Sequence, residues 1–427
     1  MAGRLNTISA YGVRIGVALL GLRLTGRVTE TAQSADDRVL IGNLGSSWRA
    51  EVGRGGRITP LDGGRSFGFA VAADDRWHDP DRDPGVRSRR IDGVAAVETR
   101  IRIPNGDLVQ RVWCTASSGG VTVVEFENES PLPVVVAVDN PGILTGPAPT
   151  TSVPDEVGMP SDARALPVGH HATARIAVRH GAQQSGSLPQ GLPDLSSVVA
   201  GWRSVIDRAG RYDLPAGAIG GSAAASVVAA RCDWMLGDLS DPDVDPVSAL
   251  IEADHLARMG EPVDELVPIV ARSVERAVRR GAAGIWAGLD AAARVLVLAD
   301  ERRALADLDR IASGSQRDGS VPDNRAGRAM ALDRRLVSAV GNECDLLPDG
   351  IPEDWMLQGF EAHGLPAGRS ATVSFAVRWH GRRPAVIWEC SGGPVRLSAA
   401  AVDASWESGA ETGEHLWGFE APDPAIS

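Results

Sequence analysis

The sequence contains no lysine, so all 43 basic residues among its 427 are arginines. This absence excludes Schiff-base catalysis through a protein lysine. It also excludes a P-loop nucleotide site and a protein-kinase site, because both need a lysine that contacts phosphate. Arginine-only usage is typical of a protein from a GC-rich genome.

Metal-binding and nucleophilic motifs are scarce as well. The four cysteines lack the close spacing of a zinc site, and we expect reduced core thiols, with a nucleophilic cysteine as the alternative. They are Cys114, Cys232, Cys344 and Cys390. No HExxH is present, and the pair His170-His171 lacks further ligands. No GxGxxG after a strand is present. We therefore expect no metal and no cofactor.

Two kinds of partner are also excluded. The net charge is -12 and the pI is about 5.2, so the protein would repel the phosphates of nucleic acid. The stretch Gly12–Leu24 is apolar, but Arg14 and Arg23 interrupt it, so it is too short and too charged to span a membrane. We expect residues 1–37 to be a disordered leader on a cytoplasmic protein. A cryptic export signal is the alternative.

The first large segment, residues 38–180, has the pattern of an antiparallel β-sandwich domain. Val97–Ile103 alternates apolar and polar residues, which predicts a half-buried strand. A turn at Pro104-Asn105-Gly106-Asp107 and a strand at Leu108–Ala116 follow, as in a hairpin. Val121–Glu127 and Leu132–Val138 are predicted to continue this antiparallel run. Residues 141–194 are linker-like, except that Thr173–Arg179 could add a strand.

Residues 195–345 are predicted to form a helical-hairpin domain. Asp245-Pro246 supplies a cap and a first-turn proline for a helix that runs to about Met259. Val263–Val278 carries apolar residues at helical spacing until Gly281, and we expect this helix at the centre of the array. Four of its residues should be almost fully buried: Leu266, Val267, Val270 and Val274.

Residues 365–420 return to β-strands and form a short C-terminal β segment. Val373, Phe375, Val377 and Trp379 give one apolar face, so the segment should pack against the body. The sequence has eleven tryptophans against two tyrosines, and five lie late in the chain. Because the face of an indole ring can stack on a sugar, this enrichment hints at a ligand surface. The five are Trp355, Trp379, Trp388, Trp406 and Trp417.

Carboxylates are the remaining candidates for chemistry, since glycoside hydrolysis needs two carboxyl groups facing across a cleft. Candidates in or beside the helical part are Asp233, Asp254, Glu265, Asp290 and Glu343. Each is compatible with a plain surface charge. Asp254 differs because it lies near the apolar face of its helix, beside His255.

The layout resembles that of the six-hairpin glycosidases, such as glucoamylase-like and glycogen-debranching-like enzymes, over about residues 38–345. Leu40-Ile41-Gly42-Asn43, Gly56-Arg57-Ile58 and Glu125–Leu132 resemble their sandwich strands, and Phe375–Glu389 resembles the tail of actinobacterial proteins of this build. The resemblance implies an α/α toroid. Residues Leu195 to Val340 have room for about six or seven helices, so the toroid would be truncated. No catalytic acid of the family matches a position here, so catalytic residues stay unknown.

These observations predict an α+β multidomain chain: an N-terminal antiparallel β-sandwich, a truncated toroid-like array of helical hairpins, and a short C-terminal β segment. Three functions are open: a glycosidase-like protein that acts on or binds an α-glucan or related carbohydrate, an inactive scaffold for protein contacts, or an unrelated helical enzyme. In a toroid the hairpin loops line the funnel, so substrate-binding candidates are Glu261, Asp264, Trp286 and Asp290. Packing of Trp286 against a neighbouring hairpin is the alternative for that residue.

Overall fold

The structure is a computed structural model that describes residues 38–422 apart from residues 75, 150–161, 182–183, 242 and 315–318. The leader predicted at residues 1–37 lies outside the described residues. The described part contains seven α-helices and 23 β-strands, and the strands form five sheets. It is therefore a mixed α/β structure dominated by strands.

The N-terminal β region (residues 38–187) contains three of the sheets. Its strands are β1 (Val39–Gly42), β2 (Arg49–Val52), β3 (Ile58–Pro60), β4 (Phe69–Ala73), β5 (Arg76–His78), β6 (Arg87–Arg90), β7 (Ala96–Ile103), β8 (Gly106–Thr115), β9 (Val121–Asn128), β10 (Val134–Val138), β11 (Leu144–Thr145), β12 (Arg164–Val168), β13 (Thr173–Arg179) and β14 (Gly186–Ser187). The sheet orders are β1-β2-β3, β12-β10-β4-β5 and β14-β11-β13-β9-β8-β7-β6. One buried cluster contains Val71 and Val136 from the second sheet and Ile101, Val112 and Phe126 from the third, so these two sheets pack on each other.

The hairpin between β7 and β8 shows how local sequence sets the strand register. Ile103 pairs with Gly106, and Asn105 between them has a φ of 62°. Asparagine tolerates this left-handed conformation better than most residues. A Cβ at Gly106 would lie 2.7 Å from the Cα of Ser130, so the position also needs a residue without a side chain. The turn predicted here is confirmed.

The helical region (residues 195–336) follows. Its elements are α1 (Leu195–Ile206), β15 (Arg211–Asp213), α2 (Gly221–Leu236), α3 (Pro246–Met259), α4 (Val263–Arg280), α5 (Ile285–Leu298), α6 (Arg302–Ser313) and α7 (Arg325–Leu336). The Asp245 side chain accepts a hydrogen bond from the Ser248 amide and caps α3, and Gly260 ends that helix with a φ of 104°. Both ends of α3 are thus set by local sequence.

The predicted truncated toroid is wrong because α3 fills the centre of the helical region. Twelve of its fourteen residues are buried, and it contacts α2, α4, α5 and α7. A toroid of hairpins surrounds an open axis, whereas these helices surround a buried helix and leave no funnel. The fold class therefore has to be corrected to mixed α/β, with strand-rich regions on both sides of a compact group of helices.

The helix predicted to be central, α4, is instead peripheral. Leu266, Val270 and Val274 form a buried stripe, as predicted. Val267 is only half-buried and Val278 is 38% exposed, so a single face of α4 enters the core. Strong helical periodicity marks a helix with one buried face, and a helix at the centre lacks it because all its faces are covered.

Replacing Val270 by Asp should destabilise the protein by about 4 kcal/mol or more, because the carboxylate would have no partner in the core. Val270 is 1% exposed. Val278→Asp on the same helix is the matched control and should cost less than about 1 kcal/mol, mainly through the helix dipole. Urea unfolding followed by circular dichroism measures both. Equal midpoints for the two variants would contradict this packing of α4.

The C-terminal β region (residues 337–421) contains the remaining two sheets. Its strands are β16 (Val337–Val340), β17 (Glu343–Leu346), β18 (Phe360–Pro366), β19 (Thr372–His380), β20 (Arg383–Ser391), β21 (Arg396–Ala399), β22 (Asp403–Ser408) and β23 (Thr412–Leu416). The sheet orders are β15-β18-β19-β20-β23 and β16-β17-β21-β22. The first of these includes β15 from the helical region, where Tyr212 pairs with Ala362.

The late tryptophans belong to the core of this region and not to a ligand surface. Trp355, Trp388, Trp406 and Trp417 are buried in one cluster with residues of α2 and α7, and Trp379 packs half-buried at its edge. The ligand surface suggested by their enrichment is therefore wrong. The prediction that the C-terminal strands pack against the body is confirmed, since the same cluster joins them to the helices. Among the described residues, no helix is long and apolar enough to cross a membrane.

Candidate functional site

A pocket of about 330 Å³ lies where the helical region meets the C-terminal β region. Helices α5, α6 and α7 form one side. The other side is formed by β16, by the turn at residues 341–342, and by the β18–β19 turn around residues 366–370. The pocket is thus built from three helices and two β-turns whose sequences are far apart.

The helices supply the apolar wall of the pocket. Trp286 and Leu289 come from the first two turns of α5, Leu308 and Ala312 from α6, and Met330 from α7. Trp286 is half-buried, as expected for a ring that lies at a pocket surface. An apolar wall with a few polar groups is the usual composition of a small-molecule site.

Six ionisable residues line the pocket, three acids and three arginines: Asp290, Asp309, Asp333, Arg294, Arg334 and Arg369. Two ion pairs among them lie near the surface. Arg369 in the β18–β19 turn donates to Asp309 of α6, with Nη1 to Oδ2 at 3.1 Å. Arg334 of α7 donates to Asp290 of α5 at 3.4 Å. Both pairs connect different elements across the pocket.

A third ion pair lies at the floor of the pocket. Arg294 of α5 donates from Nε and Nη2 to the two carboxylate oxygens of Asp254, at 2.9 and 2.8 Å. Asp254 lies on α3 and is fully buried. Arg258 contacts Asp254 at 3.2 Å and Asp333 at 3.4 Å. The central helix α3 thus supplies the carboxylate that holds Arg294 at the pocket.

A buried network of hydrogen bonds connects Asp333 of the pocket to the C-terminal end of α1. Tyr212 of β15 donates to Asp333, and Arg231 of α2 donates to the Tyr212 hydroxyl at 2.8 Å. Arg231 is fully buried, and it also donates to the carbonyl oxygens of Ile206, Ala209 and Gly210. This network satisfies charges that would be costly to bury alone.

The network also fixes the charge states of its members. Burial alone would raise the pKa of Asp254, but Arg294 and Arg258 outweigh it and hold that pKa below its usual range. Burial, together with Arg258, Arg231 and Arg294, lowers the pKa of His255 well below its usual range. His255 is therefore neutral at neutral pH, and Asp254 is ionised.

The structure brings together two of the four substrate-binding candidates. Trp286 and Asp290 both line the pocket. Glu261 lies in the turn between α3 and α4, and Asp264 is exposed in the first turn of α4; neither lines the pocket. Substrate binding by these four residues stays a prediction. The other pocket charges were missed because their association depends on tertiary packing.

The other candidate carboxylates have ordinary surroundings. Asp233 pairs with Arg90 and Arg325, and Glu265 and Glu343 are exposed. The four cysteines are free and buried, and burial raises the thiol pKa of Cys114, Cys232 and Cys344 to about 12. Such thiols are poor nucleophiles. In the part of the chain that the structure describes, no group of three His, Cys, Asp or Glu residues could hold a metal ion.

Comparisons with known proteins do not assign a family. No protein-family model matches the chain, and no curated protein matches it either. The resemblance to six-hairpin glycosidases therefore stays a prediction, and functional inference has to start from the pocket.

Proposed function

We propose that this protein binds a small carbohydrate in the pocket between α5, α6, α7 and the β18–β19 turn, and that it does not cleave it. The observation that carries the proposal is the position of Trp286 in a concave pocket beside the paired Asp290 and Arg334. This arrangement combines an aromatic face with fixed hydrogen-bonding groups.

The chemistry of a pyranose matches that combination. Its C–H face is apolar and stacks on an indole ring. Its hydroxyl groups both donate and accept hydrogen bonds, so carboxylates and guanidinium groups that lie side by side can serve them. The volume of about 330 Å³ is at the low end for small-molecule pockets, which favours one or two sugar rings over a long glucan.

Binding is favoured over hydrolysis because the carboxylates of the pocket are already engaged. A glycosidase needs one carboxylic acid that keeps its proton and a second carboxylate across the sugar. The hydrogen bond from Arg369 lowers the pKa of Asp309. Asp290 is held by Arg334, and Asp333 by Tyr212 and Arg258. None of these three acids has the surroundings of a general acid.

Titration of glucose, maltose and maltotriose by isothermal calorimetry tests the proposal. Wild-type protein should bind at least one of them with a Kd in the millimolar range or tighter. Trp286→Ala should weaken binding by about tenfold, because it removes the stacking face. Asp290→Asn should also weaken it, whereas Asp264→Asn on α4 is the matched control and should bind as wild type does.

Maltose, maltotriose and a chromogenic α-glucoside should remain intact during incubation with the protein. Release of free sugar above the rate of a buffer control would show that the protein is a hydrolase. Absence of heat at millimolar concentrations of every sugar would refute carbohydrate binding and would favour the scaffold hypothesis.

A further inference from the structure

Two of the three guanidinium nitrogens of Arg294 donate hydrogen bonds to Asp254, which leaves the third nitrogen, Nη1, for a ligand in the pocket. Its side chain is 16% exposed and lines the pocket. Nε and Nη2 are engaged by Asp254, and Nη1 forms no hydrogen bond with any residue that the structure describes. Because a guanidinium is planar, the two bonds to Asp254 also fix the direction of Nη1.

The ionised groups around Nη1 are balanced in sign. Asp254 neutralises Arg294 from the protein side, where its own side chain is 1% exposed. The three acids and three arginines that line the pocket are all paired, either with one another or with Asp254, Arg258 and Tyr212. The pocket therefore has hydrogen-bonding capacity without a net charge to attract an ion.

We propose that Arg294 is the specificity-determining donor of the pocket, that Asp254 is its positioning residue, and that the ligand is a neutral sugar. This inference rests on the proposed carbohydrate binding. A sugar hydroxyl can accept from Nη1 and donate to a neighbouring carboxylate. The charged group of a uronic acid or a sugar phosphate would lose its hydration on entering the pocket, and every arginine there is already paired with a carboxylate, so no positive charge would compensate for that loss.

Asp290 and Asp333 strengthen the discrimination against anions. Burial acts to lower the pKa of Arg294, but Asp254 raises it, and the charges of Asp290 and Asp333 raise it further. Both carboxylates therefore interact with the guanidinium group. An anionic group beside Nη1 would therefore meet two carboxylates as well as the guanidinium.

Calorimetric titration of glucose, glucuronate and glucose 6-phosphate tests the inference on three proteins. The wild type should prefer glucose over both anions by at least about tenfold. Arg294→Gln should weaken glucose binding by about tenfold or more, because the charged donor is lost. Its melting temperature should fall, because the buried Asp254 loses both hydrogen bonds from Arg294 and keeps only Arg258 at 3.2 Å, so circular dichroism has to show that the variant is folded at the temperature of the titration.

Asp254→Asn is the more specific variant. It removes the charge that neutralises Arg294, so the ratio of the Kd for glucuronate to the Kd for glucose should fall by about tenfold or more. A purely structural defect would weaken both sugars together and leave that ratio unchanged. If Asp254→Asn does not fold, the Arg294→Gln titration decides the matter.

The outcomes separate this inference from the proposed function. Absence of glucose, maltose and maltotriose binding by the wild type would overturn the proposed function and this inference with it. Wild-type binding of glucose that Arg294→Gln leaves unchanged, or wild-type preference for an anionic sugar, would overturn this inference alone.

Discussion

A chain that ends at residue 371 should be insoluble when expressed. The deletion removes β19, β20 and β23 from one C-terminal sheet and β21 and β22 from the other. It also removes Trp388, Trp406 and Trp417 from the cluster that covers α2 and α7. The buried faces of those two helices would meet water, and large exposed apolar patches promote aggregation.

Sedimentation of the expressed protein and size-exclusion chromatography of any soluble fraction measure this result. Trp417→Ala in the full chain gives a graded comparison and should cost about 3–5 kcal/mol, because Trp417 is fully buried. Its neighbour Leu416 is 39% exposed, and Leu416→Ala should cost less than about 1 kcal/mol. A soluble truncated chain that melts cooperatively would show that the C-terminal strands are dispensable.

Replacing Arg231 by Leu should destabilise the protein by about 4 kcal/mol. The leucine would leave the carbonyl oxygen of Gly210 and the Tyr212 hydroxyl without this donor, in a place that water does not reach, and the carbonyl oxygen of Ala209 would keep only Arg258. Unsatisfied buried polar groups cost about 1–3 kcal/mol each, and partial relaxation reduces their sum. Arg231→Lys should recover only part of the loss, since an ammonium group cannot reach all these acceptors at once.

Urea unfolding again provides the measurement, with Arg279→Leu as the matched control. The side chain of Arg279 is 69% exposed and pairs with Glu275 on the same helix, so its loss should cost less than about 1 kcal/mol. If Arg231→Leu unfolds at the same urea concentration as Arg279→Leu, the buried network does not stabilise the junction of α1, α2 and β15.

Local sequence predicted element boundaries well where caps or turns set them. Asp245-Pro246 marks the start of α3 and Met259 its end, as the structure has it. The central position of α3 was not predictable, since Asp254 and His255 interrupt its apolar pattern. Besides Arg258 on the same helix, their partners Arg294 and Arg231 lie on other helices. The edge strands β22 and β23 were missed because most of their residues are exposed, so apolar alternation is absent.

Of the candidate site, the sequence predicted the part that lies on a single helix and missed the part that depends on tertiary packing. Trp286 and Asp290 are four residues apart on α5, so their proximity follows from helical geometry. Asp309 and Arg369 come together only because α6 packs near the β18–β19 turn, and nothing in either local sequence indicates the other. The number of helices was predictable from chain length. Their arrangement around α3 was not, because a central helix differs from an outer helix in its tertiary neighbours, which the local sequence does not specify.

The pairing of β15 with β18 has a consequence for biosynthesis. The edge strand β15 emerges from the ribosome long before its partner at Phe360–Pro366. At about 5–20 residues per second, the interval is about 7–30 s. During that time the backbone amides of β15 and the side chain of Tyr212 lack the partner strand β18 that they have in the folded protein. Cellular factors that shield nascent chains would therefore affect the yield of this protein most while residues 214–359 are being translated.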